Sequence, residues 1–219
     1  MKSIKFDKRI LAINIVNGHK VSEQTTTGIN HRKMLIWTFL ASECLFFGSF
    51  ITTFLLYRNA SVVGPYPHEI LDIPVTSVST FVLLTSSLAM VLALAAVKRG
   101  DRIGARIWIL ATAFMGATFL GFQVFEFYEF VQHGLTPRTN VFGATFFTLT
   151  GFHGAHVTVG VIWLVSLWVL SMKKNGIPIE RSLDVELAGL YWHFVDIVWI
   201  VIFTVVYLLT ALPPLTNGG

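Results

Sequence analysis

Charge is what this sequence has least of. Only 13% of its 219 residues are Asp, Glu, Lys or Arg, while 54% are hydrophobic and mean hydropathy is +0.68. A soluble domain carries about 25% charged residues. A chain with so little charge has no material for a water-facing surface and reads as an integral membrane protein. The single cysteine, Cys44, excludes an internal disulfide and any metal site built on several thiolates; it reads as a small buried apolar residue. No secretory leader is expected, because mostly polar residues precede the first apolar block up to position 33. Phosphate-cradling loops, nucleotide fingerprints and hydrolytic triads are absent. The net charge of +4 is spread over the segments between apolar runs, so no nucleic-acid partner is expected.

What the chain has in abundance is long apolar runs. A helix needs about 20 such residues to cross the hydrocarbon core of a bilayer, and five runs qualify, at about 34–57, 75–97, 103–129, 141–172 and 186–212. Turn formers and cations separate them: Arg58-Asn59 and Gly64-Pro65-Tyr66-Pro67, then Pro74, Lys98-Arg99-Gly100, Lys173-Lys174-Asn175-Gly176 and finally Pro213-Pro214. The expected fold is all-α, a polytopic membrane bundle of five transmembrane helices. Residues 1–30 form a basic, threonine-containing N-terminal extension. Basic residues at 1–33, at Lys98, Arg99, Arg102 and Arg106, and at Lys173, Lys174 and Arg181 fall on one side if there are five crossings, leaving Arg58 and Arg138 on the other. By the positive-inside rule the N-terminus is cytoplasmic and the C-terminus external.

Polar groups inside the spans then become the informative residues. The run from Gly151 to Gly160 places His153 and His156 near the bilayer midplane, three apart on one helix face, beside Gly151 and Gly154, whose small surfaces admit a neighbouring helix. Glu43 lies nine residues into the first run, about 13 Å along a helix axis. Glu126 and Glu129 form a polar cluster toward the outer end of the third span, and Glu186, His193 and Asp196 line the inner half of the fifth. Groups of this kind rarely face lipid. Three readings compete for them: metal or haem ligation by His153 or His156 opposite His193, a proton or ion path, and a hydrogen-bonded interhelical network that sets packing. Against the first, the paired Glu-x-x-His motifs of a bundle di-metal site are missing. The tryptophans Trp163, Trp168, Trp192 and Trp199 read as packing or interfacial anchors.

Four segments carry a resemblance. Ser42-Glu-Cys-Leu-Phe-Phe47, Gln123-Val-Phe-Glu-Phe-Tyr-Glu129, Phe146-Phe-Thr-Leu-Thr-Gly-Phe-His-Gly-Ala-His-Val157 and Glu186-Leu-Ala-Gly-Leu-Tyr-Trp-His-Phe-Val-Asp-Ile-Val-Trp199 closely resemble subunit III of the haem-copper terminal oxidases. The likeness covers about 31–212 as one domain, in the short five-helix bacterial form. The resemblance implies a non-redox subunit of an aerobic oxidase that reduces dioxygen to water and pumps protons, in a bacterial or archaeal cytoplasmic membrane. It implies no cofactor in this chain, with haem and copper in partner subunits and structural phospholipid bound nearby. Expected partners are the catalytic subunit I, subunit II and a small subunit IV, with membrane lipids around them.

Within the family pattern Glu43 matches the membrane-embedded glutamate near the lipid-binding region, and His153, Glu186 and His193 match polar residues of the bundle. Arg58, just past the first span, has two readings, a partner for a lipid phosphate or a solvated cation. The longer family members have seven helices and a lipid-filled cleft; this chain resembles the form that lacks the first two, so one wall of that cleft would come from another subunit or be missing. The electron donor is expected to be cytochrome c. Alternatives are the corresponding subunit of a quinol oxidase or nitric oxide reductase complex, and an independent proton-coupled transporter.

Overall fold

The computed structural model describes residues 30–58, 60, 64, 72–172, 177, 178 and 181–209. The leader up to residue 29, the Pro65-Tyr66-Pro67 turn, Lys173 to Gly176 and Pro213-Pro214 lie outside the described residues. Among the described residues the regular structure is five long helices: α1 His31–Tyr57, α2 Ile73–Lys98, α3 Arg102–Gln132, α4 Val141–Ser171 and α5 Ser182–Ile202, the last continuing as a π-helical turn over Phe203–Leu208. All five are long and apolar enough to cross a membrane. The chain divides into two compact units, Met1–Ser42 and Glu43–Gly219. In the first, Asn30 starts α1 by accepting the Arg32 backbone N–H on its side chain at 2.9 Å. The second holds the remainder of α1 and the other four helices.

Local chemistry sets the ends of the helices. Asp72 caps α2 by accepting the Val75 N–H, and Pro74 sits inside the first turn rather than before it. A proline there loses nothing, because first-turn N–H groups have no helical acceptor. The α2–α3 link is three residues long, Arg99 to Asp101. Gly100, at φ 75°, donates to Val97 O and Asp101 to Ala96 O, both at 3.0 Å, and Asp101 then caps α3 by accepting the Gly104 N–H at 2.9 Å. The first part is a Schellman ending, so one dipeptide closes a helix and opens the next. Gly134, at φ 82°, repeats the motif after α3, with Gly134 donating to Val131 O and Leu135 to Phe130 O. Asn140 caps α4 through Gly143 N at 2.7 Å.

Side-chain pairs fix the packing directions. Between α1 and α4, Glu43 meets His156, Phe50 stacks on Phe152, and Phe54 lies against Phe142. Numbers rise along one helix as they fall along the other, so the two run antiparallel. Between α3 and α4 the series is Arg106 with Ser171, Phe119 with His153, Gln123 with Thr150 and Phe130 with Phe146, again antiparallel. Trp192 with Ser86 and Trp199 with Thr80 make α2 and α5 antiparallel, while Phe119 with Trp199 and Glu126 with Tyr207 make α3 and α5 parallel. Each relation matches five alternating crossings.

Cys44 is exposed on α1, which corrects its reading as a buried apolar residue. It is next to Glu43, whose side chain turns toward α4, and a one-residue step on a helix turns the side chain by about 100°. Apolar side chains also cover the outside of the helices, among them Leu45, Leu56, Phe81, Phe114, Val124, Ile162 and Ile197. In a bilayer that surface meets lipid or another subunit at no cost.

Candidate functional site: the polar groups of the helix bundle

The interior of the bundle holds an unusual share of polar and aromatic side chains, and helix α5 organises them. Trp192 and Trp199 are seven residues apart, two turns on one face, and both are buried. The indole N–H of Trp192 donates to Ser86 Oγ and that of Trp199 to Thr80 Oγ1, each at 2.9 Å. Those hydroxyls give their own protons to the Leu83 and Thr76 carbonyls, so donor and acceptor are both used. The ladder continues outward at Glu126, whose two carboxylate oxygens accept from Thr76 Oγ1 at 2.7 Å and from Tyr207 Oη at 3.0 Å. In a regular α-helix Tyr207 would point about 80° away from Trp199, eight residues at 100° each. The wider π turn over Phe203–Leu208 brings its hydroxyl back to that face.

The stretch from Gly151 to Gly160 sends its two histidines to different partners. His156 Nε2 lies 3.1 Å from Glu43 Oε2, half-buried at the α1–α4 contact, while His156 Nδ1 lies 2.8 Å from the Phe152 carbonyl. A carbonyl only accepts, so Nδ1 carries a proton. The close Nε2–Oε2 contact then holds one further proton, which resides on the imidazole in an ion pair or on the carboxyl in a neutral pair. His153 is buried completely, stacked on Trp199 at 4.9 Å and edged by Phe119 and Phe47. Neither of its ring nitrogens has a hydrogen-bond partner among the described residues.

Glycines decide where helices come close. A Cβ on Gly154 would stand 2.6 Å from Gln123 Oε1, and the Gln123 amide reaches past it to donate to Thr150 O at 2.7 Å. A Cβ on Gly160 would stand 2.8 Å from Trp192 Cε3 and Cζ3, and one on Gly116 would collide with the opposite edge of the same indole. Trp192 therefore sits between α3 and α4 while bonding to α2. Gly151 has open space where its side chain would be, so of the glycines beside the histidines only Gly154 admits a neighbour.

His193 and Asp196 lie one turn apart on α5. Ser87 Oγ is 2.6 Å from His193 Nδ1. Neither oxygen of the Asp196 carboxyl has a hydrogen-bond partner among the described residues, although the residue is buried. Glu186 is half-buried four residues into α5, about 6 Å along the axis, in the N-terminal half of the helix. Glu126 and Glu129 part company, the first buried in the ladder and the second exposed. Arg58 follows directly on α1. Arg106 is used structurally: its Nε and Nη2 both donate to Ser171 O, at 2.9 and 2.7 Å, closing the C-terminal end of α4 where carbonyls lack helical partners. No group of three or more His, Cys, Asp or Glu side chains suited to a metal ion occurs among the described residues.

Sequence reasoning missed the α2 hydroxyls, Gln123 and Tyr207. The signal for the first was present, since Thr76, Thr80 and Ser86-Ser87 recur at helical spacing opposite a Trp192–Trp199 heptad step.

Comparison with known proteins agrees with this architecture. The sequence model of the family described as cytochrome c oxidase subunit III matches residues 3–211. The cytochrome c oxidase subunit 3 of Alkalihalophilus pseudofirmus is 38% identical over 190 residues, covering 85% of this chain and 91% of that protein. That of Bacillus sp. (strain PS3) is 39% identical over 79% of this chain and 83% of its own length. The quinol oxidase subunit 3 of Bacillus spizizenii is 37% identical over 79% of this chain and 84% of its own length. With five apolar spans in antiparallel order and a family match running almost from end to end, the chain is a multi-pass cytoplasmic-membrane protein that belongs to the cytochrome c oxidase subunit III family of haem-copper terminal oxidase subunits.

Proposed function

We propose that the chain is a non-catalytic subunit of a proton-pumping aerobic oxidase, packed beside catalytic subunit I together with subunit II and a small subunit IV, and that it stabilises subunit I and supports its proton uptake. Haem and copper belong to the partner chains, and phospholipid binds near Glu43 and Arg58. The loops rich in Lys and Arg face the cytoplasm and residues 133–140 face outside, following the distribution of cations. Cytochrome c is the proposed donor. A quinol is the second reading, favoured by the 37% identity to a quinol oxidase subunit 3.

The observation that carries the proton-support reading is the Glu43–His156 pair. The two side chains approach to 3.1 Å at the α1–α4 contact, close enough to share a proton, and both keep part of their surface open, 17% for Glu43 and 19% for His156. The remaining polar groups, the buried Glu126, His153 and Asp196 and the half-buried His193, act on packing. Glu43→Gln tests the division of labour, because a glutamine amide donates to a neutral His156 Nε2 and preserves the contact while removing the shared proton. The expected result is a complex that assembles normally but completes fewer turnovers before it inactivates. Unchanged endurance removes the role assigned to Glu43.

A further inference from the structure

We propose that Glu126 is a reversible proton-binding site, which takes up or releases one proton through a turn of the Thr76 hydroxyl while the packing around it stays as it is. This goes beyond the packing role given to Glu126 above.

The geometry has three parts. Glu126 is 8% exposed, toward the end of the bundle where α3 finishes and α2 begins, and it sits between Thr76 and Tyr207, which are both buried. Its Oε2 accepts from Tyr207 Oη at 3.0 Å, and its Oε1 lies 2.7 Å from Thr76 Oγ1. The Thr76 hydroxyl has a second acceptor, the Asp72 carbonyl of its own helix, at 2.9 Å. One hydroxyl proton therefore has two acceptors within reach. On the same helix Thr80 and Ser86 also turn to a carbonyl, but the group they meet is an indole N–H, which only donates.

Two proton arrangements fit the same heavy atoms. In the charged one, Thr76 donates to Oε1 and Tyr207 to Oε2 of a carboxylate. In the neutral one, the carboxyl proton on Oε1 is donated to Thr76 Oγ1, Thr76 donates to the Asp72 carbonyl, and Tyr207 still donates to Oε2. Every donor has an acceptor in both. Passing from the first to the second, a hydronium ion at the end of the bundle gives its proton to Oε1 and leaves as water. A carboxyl O–H bond forms as a hydronium O–H bond breaks, and no electrons are transferred. Both bonded partners are uncharged. Asp72, whose side chain accepts the Val75 N–H, and Glu129, which is exposed, are the acidic groups acting on Glu126, and α4 contributes the Phe146 ring, 6.2 Å from that of Tyr207. Burial and the two acids penalise the carboxylate while the two hydroxyl donors favour it, so both forms are accessible.

Infrared spectroscopy of the intact oxidase complex tests this. The carbonyl stretch of a neutral Glu126 carboxyl is identified by its loss in Glu126→Gln, whose amide copies the neutral arrangement and so keeps the fold. In the wild-type complex that band should grow as pH falls and vanish as pH rises, with the amide bands unchanged. A hydrogen bond to a charged group is stronger than one to a neutral group, so Thr76→Val should penalise the carboxylate and move the midpoint about one pH unit higher. Thr76→Ser should restore it. A carboxylate held purely as a packing pin would show no such band. Absence of the band, a band of constant intensity, or a midpoint unmoved in Thr76→Val complexes of normal composition would overturn the proposal. None of these outcomes depends on the turnover endurance of the Glu43 variant.

Discussion

Replacing Gly160 with alanine puts one methyl group into the tightest part of the bundle. The new Cβ would stand 2.8 Å from two atoms of the Trp192 indole, well inside ordinary contact. The ring has little room to retreat, because its far edge lies against Gly116 and its N–H is bonded to Ser86. Helix α4 or α5 has to shift, and overpacking of this kind costs about 1–3 kcal/mol. Alanine also gains up to about 1 kcal/mol over glycine as a helix former, which masks part of the loss. Gly151→Ala supplies the reference: it lies in the same helix, takes the same propensity gain and meets nothing. The difference between the two variants isolates the packing cost, so Gly160→Ala should be less stable than Gly151→Ala by about 1–3 kcal/mol in reversible detergent unfolding. Equal stability of the two would refute the claim that Trp192 locks α2, α3, α4 and α5 together.

Other expectations follow from single contacts. Tyr207→Phe should destabilise the bundle by about 0.6–1.7 kcal/mol, the range for a membrane hydrogen bond. Glu126→Gln should cost no more than that, because the amide carbonyl can accept from Tyr207 while the amide N–H donates to Thr76 Oγ1, whose own proton has the Asp72 carbonyl as acceptor at 2.9 Å; both are read from the same unfolding curves. Arg106→Lys, which keeps the charge but not the two-pronged contact to Ser171 O, should loosen the end of α4 and raise amide exchange there without changing topology. Unchanged exchange would assign Arg106 to charge distribution alone.

The number of helices and their order were legible in the sequence because apolar length is a strong signal and Gly100, Gly134 and Asn140 stand where caps require them. The starts of α1, α2 and α5 were less so. Apolarity marks where a helix meets lipid, whereas the backbone hydrogen bonds begin earlier, at His31, Ile73 and Ser182, among residues that are polar or include Pro74. Of the candidate site, the polar residues within the apolar runs are legible in the sequence, but their partners are not. His153 and His156 are three apart, and their different environments depend on Phe47, Phe119 and Trp199 from three other helices. Tyr207 reaches Glu126 only through a π turn, which periodicity at 3.6 residues does not register.

The central claim is that this bundle serves the chemistry of neighbouring chains. The mass and cofactor content of the native assembly, extracted in mild detergent, tests it most directly. The account predicts that the chain migrates within a much larger complex whose haem and copper reside in other subunits, and that the separated chain has no Soret absorbance. A chain that migrates alone, or one that retains stoichiometric haem after separation, would contradict it.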